Sequence, residues 1–141
     1  MTPKYSTSKP YPNIDYSSVT LEEYMTLVPV ENRGNCVAAC IASILEMETN
    51  DVFQIQKHFV LGNFNDAHMK LDIWLLEKGY KKTIRFIPPK DQYCIAIGKA
   101  NANKNIGHCV VWLNDKMVHD PSLKAEGIGE PTAYWHLTKI K

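Results

Sequence analysis

The chain has 141 residues, the size of one domain with one core, and is 45% hydrophobic and 22% charged, as soluble globular domains are. Sixteen basic against fifteen acidic residues leave a net charge of +1, so no field of one sign and no Lys/Arg block points to nucleic acid. No apolar run reaches the eighteen or so residues a transmembrane helix needs. The N-terminal stretch lacks the apolar segment of a signal peptide, and the expectation is a cytoplasmic protein whose four cysteines are thiols.

Residues 1–18, rich in Pro, Ser and Tyr, have no hydrophobic period and read as an extended or flexible arm; 19–141 read as one domain. Thr20 and Glu23 form a capping box that opens a short helix. A loop follows, and Cys36–Met47 reads as a helix. Residues 49–60 suggest another, capped by Thr49 or Asn50. Residues 65–78 give the clearest helical pattern, with Asn65 as cap, Gly79 as stop and an apolar stripe of Met69, Ile73 and Leu76 widened by Trp74 and Leu75. Beyond Gly79 the period shortens. "KTIRFIP", "YCIAIG", "HCVVWL", "KMVHD" and "AYWHLTKI" read as short strands bounded by turn residues. Helices first and strands second predict an α+β fold, a helical N-terminal half packed on a C-terminal antiparallel sheet.

Cys36 and Cys40 lie one helical turn apart. A disulfide between them is disfavoured, because Cβ atoms at that spacing stand about 5–6 Å apart and a disulfide needs about 3.8 Å. A zinc site would need two further ligands, and His108 and Cys109, adjacent on a strand, should point to opposite faces. On a helical wheel Val37, Cys40, Ile41, Ile44 and Leu45 form one apolar stripe, so Cys40 reads as a core residue. Cys36 falls at its margin, in the first turn, where free N–H groups and the helix dipole favour a thiolate.

A cysteine nucleophile needs a base and a group that orients the base. His108 opens one strand and Asp120 closes the next, with a turn at Asn114–Asp115. Side chains alternate along strands, so hairpin parity decides whether these two meet. A plain two-residue loop puts His108 on one face with Met117 and His119, which would suit a metal. A three-residue loop or one bulge puts it with Val110, Trp112, Val118 and Asp120. His58 and His68 read as surface residues, His136 as core or edge, and Cys94 and Cys109 as buried thiols.

"NCVAACIASIL", followed some seventy residues later by "HCVVWLNDKMVHDP", resembles the papain-like cysteine peptidase superfamily, nearest to bacteriocin-processing (double-glycine leader) peptidase domains. Trp74-Leu75, Tyr93–Ala96 with Gly98, His108–Val111 and Val118–Pro121 are also similar to uncharacterised papain-like proteins of phages and bacteria. The resemblance spans roughly residues 30–125. It implies Cys36 as nucleophile, His108 as base and Asp120 as the residue that orients it. Papain-like enzymes carry an oxyanion-hole Gln about six residues before the Cys. That position is Val30 here, and among its neighbours Asn32 is the candidate oxyanion donor, ahead of Asn35. The stretch "GKANANKNIGH" before His108 also departs from the loop of the phage group.

The expected function is a thiol-dependent hydrolase or acyl transferase acting on an amide, isopeptide or thioester bond of a peptide-like, protein or conjugated substrate, without cofactor or metal. A catalytically silent papain-like fold that binds a host protein or peptide is the alternative, and a thiol-rich metal-binding protein the third.

Overall fold

A computed structural model describes residues 36–48, 51–55, 64–101, 104, 107–122 and 126–141. Among the described residues, two helices, α1 (Cys36–Leu45) and α2 (Phe64–Glu77), precede five strands: β1 (Tyr80–Arg85), β2 (Tyr93–Lys99), β3 (Gly107–Leu113), β4 (Lys116–His119) and β5 (Ala133–Lys139). The strands make one antiparallel sheet in the order β1-β5-β2-β3-β4. The expected α+β class, helices before an antiparallel sheet, is therefore what the chain adopts. The expected arm (1–18), the Thr20–Glu23 box and His58 lie outside the described residues. So does most of the expected helix over 49–60; of its described residues, 52–54 take no regular helical form.

Helix α1 is enclosed on almost every side. Ala38 to Ile44 are all buried, and a helix apolar all round belongs inside. Its small residues let it lie close on β3 and β2. Ser43, the one polar member of that run, donates its hydroxyl to the Ala39 carbonyl at 2.9 Å.

Helix α2 corrects two expectations. It begins at Phe64, so Asn65 lies within the first turn and is not the cap. The Met69, Ile73 and Leu76 stripe is exposed (56%, 50% and 44%), while Ala67, Leu71 and Leu75 are fully buried. Both rows recur at helical spacing, on opposite faces. The smaller one wins because Ala67 and its neighbours allow the helix to approach β1. His68 is accordingly half-buried rather than a surface residue. It contacts Trp135 edge-on at 5.2 Å, and its Nδ1 lies 3.1 Å from Lys82 Nζ. Lys82 in turn sits 4.2 Å above the Trp135 ring and 3.3 Å from Asp72, tying α2 to β1 and β5. Gly79 ends the helix as expected, with φ +94° and its N–H donated to Leu76 O.

Sheet register fixes two faces. Ile95, Cys109, Val111, Trp135 and Leu137 join the α1 and α2 core, and Cys94, Ala96, His108, Val110 and Trp112 alternate onto the other face. The strand expected over "KTIRFIP" stops at Arg85, leaving Phe86 and Ile87 exposed. His136 is a buried residue rather than an edge one, with Nε2 2.8 Å from Gln92 Oε1.

Candidate active site

Three elements converge here: the first residue of α1, the start of β3 and the residue after β4. The β3–β4 turn has two residues, Asn114 and Asp115, with Asn114 at φ +58°. The ladder runs Leu113↔Lys116 and Trp112↔Met117, then jumps to Val111↔His119, so Val118 is an extra residue in a β-bulge. That one insertion reverses the face of everything after it. Continued by one step, the register sets Asp120 opposite Val110, on the face of His108, and His119 falls on the other face. The metal-favouring parity, with His108 and His119 together, is thus not the one adopted. Beyond Val111↔His119 no β4 residue pairs with β3, so His108 lies at an open strand edge.

His108 Nε2 and Asp120 Oδ1 stand 2.7 Å apart, with 13% and 1% side-chain exposure. Asp120 is held from two further directions. Ser122 N–H donates to Oδ1 at 2.8 Å and Gly127 N–H to Oδ2 at 2.7 Å. Burial alone would raise this carboxyl. The His108 hydrogen bond, the two backbone donors and the charge of His108 outweigh it and hold Asp120 below the usual carboxylate range.

Gly127 adopts φ +78°, and its segment is clamped by Asn101. The Asn101 side-chain amide donates to Glu126 O (3.0 Å) and Ile128 O (3.1 Å), and its backbone N–H to Gly127 O (3.0 Å). The same segment closes over Gly98, the β2 residue paired with His108. A Cβ there would meet Glu130 O at 3.2 Å and Ile128 Cδ1 at 3.3 Å, so only glycine fits without displacement.

Cys36 is half-buried and packs against the core cluster that holds Cys109, with His108 and Cys109 the two side chains that act on its thiol. With Nε2 engaged by Asp120, Nδ1 is the imidazole nitrogen left for Cys36. For His108, burial opposes the charged form, but the hydrogen bonds to Asp120 and Cys36 and their charges prevail, and the imidazole is pushed up to about 10. Cys36 is pushed upward, first by its hydrogen bond to Cys109 and then by burial, against the opposing pull of His108. Cys109 and burial thus work against the Cys36 thiolate, and His108 works for it.

Cys109 is the residue whose part the strand pattern hid. It points into the core, 3.8 Å from Cys40 Sγ, and bears on the Cys36 thiol electrostatically. His108 and Cys109 thus both influence Cys36 despite alternating along the strand. Cys40 and Cys94 are fully buried thiols, Cys94 raised to about 12 by burial. Asn32, Val30 and Asn35, the positions bearing on the oxyanion hole, lie outside the described residues. No group of three or more His, Cys, Asp or Glu among the described residues is arranged to hold a metal ion. The Ser122, Gly127 and Asn101 contacts had no sequence motif to betray them, although Gly127 sits seven residues beyond Asp120 in a turn-rich stretch.

Comparison of the chain with protein-family models, with curated proteins and with solved structures finds no match at any level. The geometry of Cys36, His108 and Asp120 is therefore the ground on which a functional reading stands.

Proposed function

We propose that the protein is a papain-like cysteine hydrolase or acyl transferase, with Cys36 as nucleophile, His108 as its proton partner and Asp120 as the group that orients His108. The observation that carries this reading is the 2.7 Å His108–Asp120 hydrogen bond on one side of an imidazole whose other side meets the Cys36 thiol. A thiol, an imidazole and a buried carboxylate in series are the parts that nucleophilic acyl chemistry requires. Asp120 fixes the ring and stabilises its charged form.

In the reaction, the Cys36 thiolate attacks the carbonyl carbon of an amide, isopeptide or thioester. The His108 imidazolium then gives its proton to the leaving group, and an acyl-enzyme results. Water, or an amine in the transferase case, attacks that acyl-enzyme with His108 acting as base and regenerates the thiol. Cys36 is the first described residue of α1, and its own N–H, at the start of the helix, is the candidate donor to the oxyanion, with Asn32 as the second. A peptide-like or protein substrate suits a half-buried thiol at an open strand edge. A bacterial or phage-infected cytoplasm is the proposed setting.

A peptide bearing a thiol-directed acyl-type electrophile tests this. It should modify Cys36 alone among the four cysteines, as read by mass spectrometry, and His108→Ala should abolish that selectivity. Equal labelling of all four, or none, would instead support a silent fold that binds a peptide or host protein. One feature favours that second reading: Cys109 and burial push the Cys36 thiol up, against the thiolate.

A further inference from the structure

Strand β1 forms one edge of the sheet. It pairs with β5 on one side, and no other described strand pairs with it. The Ile140 N–H donates to Gly79 O at 2.7 Å. By alternation along the ladder, Lys81, Thr83 and Arg85 exchange backbone bonds with β5, and the N–H and C=O groups of Tyr80, Lys82 and Ile84 turn outward. Side chains alternate as well. Lys82 points toward α2, where it meets Asp72 at 3.3 Å, so Tyr80 and Ile84 share that face and Lys81, Thr83 and Arg85 take the other. Ile84 is 54% exposed, and the chain leaves the strand through Phe86 and Ile87, 84% and 72% exposed. Outward backbone groups beside exposed apolar side chains are what a further strand needs in order to add.

Charge decides which strand that is. The six residues of β1, YKKTIR, include three cations, and neither β1 nor β5 contains an acidic residue. The whole chain carries only +1, so this excess is local. Lys82 is already matched by Asp72 and held over the Trp135 ring. Lys81 and Arg85 are exposed, and among the described residues no carboxylate forms an ion pair with either. A second copy pairing antiparallel about Thr83 would set Lys81 opposite Arg85 twice, and like charges directly opposite are destabilising. An acidic segment gains at both positions where a second copy loses.

We propose that the open edge of β1 binds an extended acidic segment of another protein by strand addition. The segment carries acidic residues on the face of Lys81 and Arg85 and apolar residues on the face of Ile84. The outward groups of Tyr80, Lys82 and Ile84 bond its backbone, Lys81 and Arg85 select its charge, and Phe86 and Ile87 give it an apolar anchor at the strand's end. Two strands separate β1 from β3, which places this edge about 15 Å from the His108 strand. The docking edge is thus separate from the Cys36 site and does not depend on the chemistry proposed there.

The test titrates the full chain into a fluorescein-labelled peptide of alternating Glu and Val, followed by fluorescence anisotropy, with a Lys and Val peptide as counterpart. The Glu peptide should bind and the Lys peptide should not. Combining Lys81→Glu with Arg85→Glu should weaken binding by about tenfold or more, and added salt should weaken it too. Both positions are exposed, and circular dichroism checks that the variant folds. In the complex, hydrogen exchange should slow at the Tyr80, Lys82 and Ile84 amides and change little at Thr83 and Arg85. Cys36→Ala should bind the peptide as the unaltered chain does, so failure here and failure of the Cys36 labelling are distinguishable. Equal binding of the two peptides, binding indifferent to the charge reversal, or slowing at β3 in place of β1 would overturn the proposal. So would self-association of the free chain that protects the same β1 amides, which would make a second copy the occupant. Binding to anionic phospholipid vesicles without binding to the Glu peptide would assign the edge to a membrane and overturn it equally.

Discussion

Asp120→Asn probes the site most sharply, because the change is nearly isosteric and removes only charge and acceptor capacity. Asp120 accepts from His108, Ser122 and Gly127 with 1% of its side chain exposed. An asparagine oxygen can serve one side of that cradle, but its amide then faces an N–H donor on the other, leaving a buried donor unpaired at about 1–3 kcal/mol. The charge adds to this. His108 is raised from 6.5 to about 10, and at about 1.4 kcal/mol per pH unit the whole rise corresponds to about 5 kcal/mol. Cys36 supplies part of it, so about 3 kcal/mol is assigned to the Asp120 coupling, in line with the cost of breaking a buried pair.

The sign of the pH dependence is determined by the two shifts. His108 is raised, so its contribution is complete below about 6.5 and fades as pH climbs through about 10. Asp120 is depressed, so its contribution is present above about 3.9 and is lost as pH falls through its folded value. Urea unfolding at pH 6 should therefore show Asp120→Asn less stable by about 3 kcal/mol, with a smaller gap at pH 10. A histidine NMR titration should show His108 moving down toward 6.5 in the variant. A wild-type His108 titrating near 6.5, or an unchanged value in Asp120→Asn, would refute the reasoning.

Cys109→Ala removes the largest upward influence on Cys36. The pH at which iodoacetamide alkylation of Cys36 reaches half its maximal rate should fall relative to wild type, and an unchanged or higher value would count against this reading. Asn101→Ala deletes two side-chain hydrogen bonds to the Gly127 segment, at about 1 kcal/mol each. It should also lower the His108 titration point by loosening Asp120, a shift that general destabilisation would not give. Deleting Val118 should leave the circular dichroism of the sheet largely intact while returning His108 to near 6.5 and ending selective labelling of Cys36.

Local chemistry was legible in the sequence wherever one residue type at one position decides the outcome. Cys40 read as core, Gly79 as helix stop, and the five strands fell within a few residues of their observed limits. The face of α2 was misread because Met69, Ile73 and Leu76 repeat as well as Ala67, Leu71 and Leu75 do. Choosing between them takes knowledge of how closely β1 approaches. For the His108–Asp120 pair, the sequence narrowed the matter to a parity that the Val118 bulge decides, and a bulge depends on the whole ladder. The influence of Cys109 was hidden for a related reason. Alternation assigns a strand residue to a face, but not the reach of a side chain at the end of a strand whose neighbour has already stopped.

The bulge has a consequence for how this hairpin can vary. Because side chains alternate with a period of two, β4 behaves like a phase-sensitive element between His108 and Asp120. An insertion or deletion of one residue anywhere from Trp112 to Val118 carries the carboxylate to the wrong side of the sheet, while two, or one of each, restores it. Length changes compatible with the pair thus come in even steps. A survey of hairpin lengths in engineered variants, sorted into odd and even, would separate those that keep the imidazole charged from those that do not, before any substrate is known.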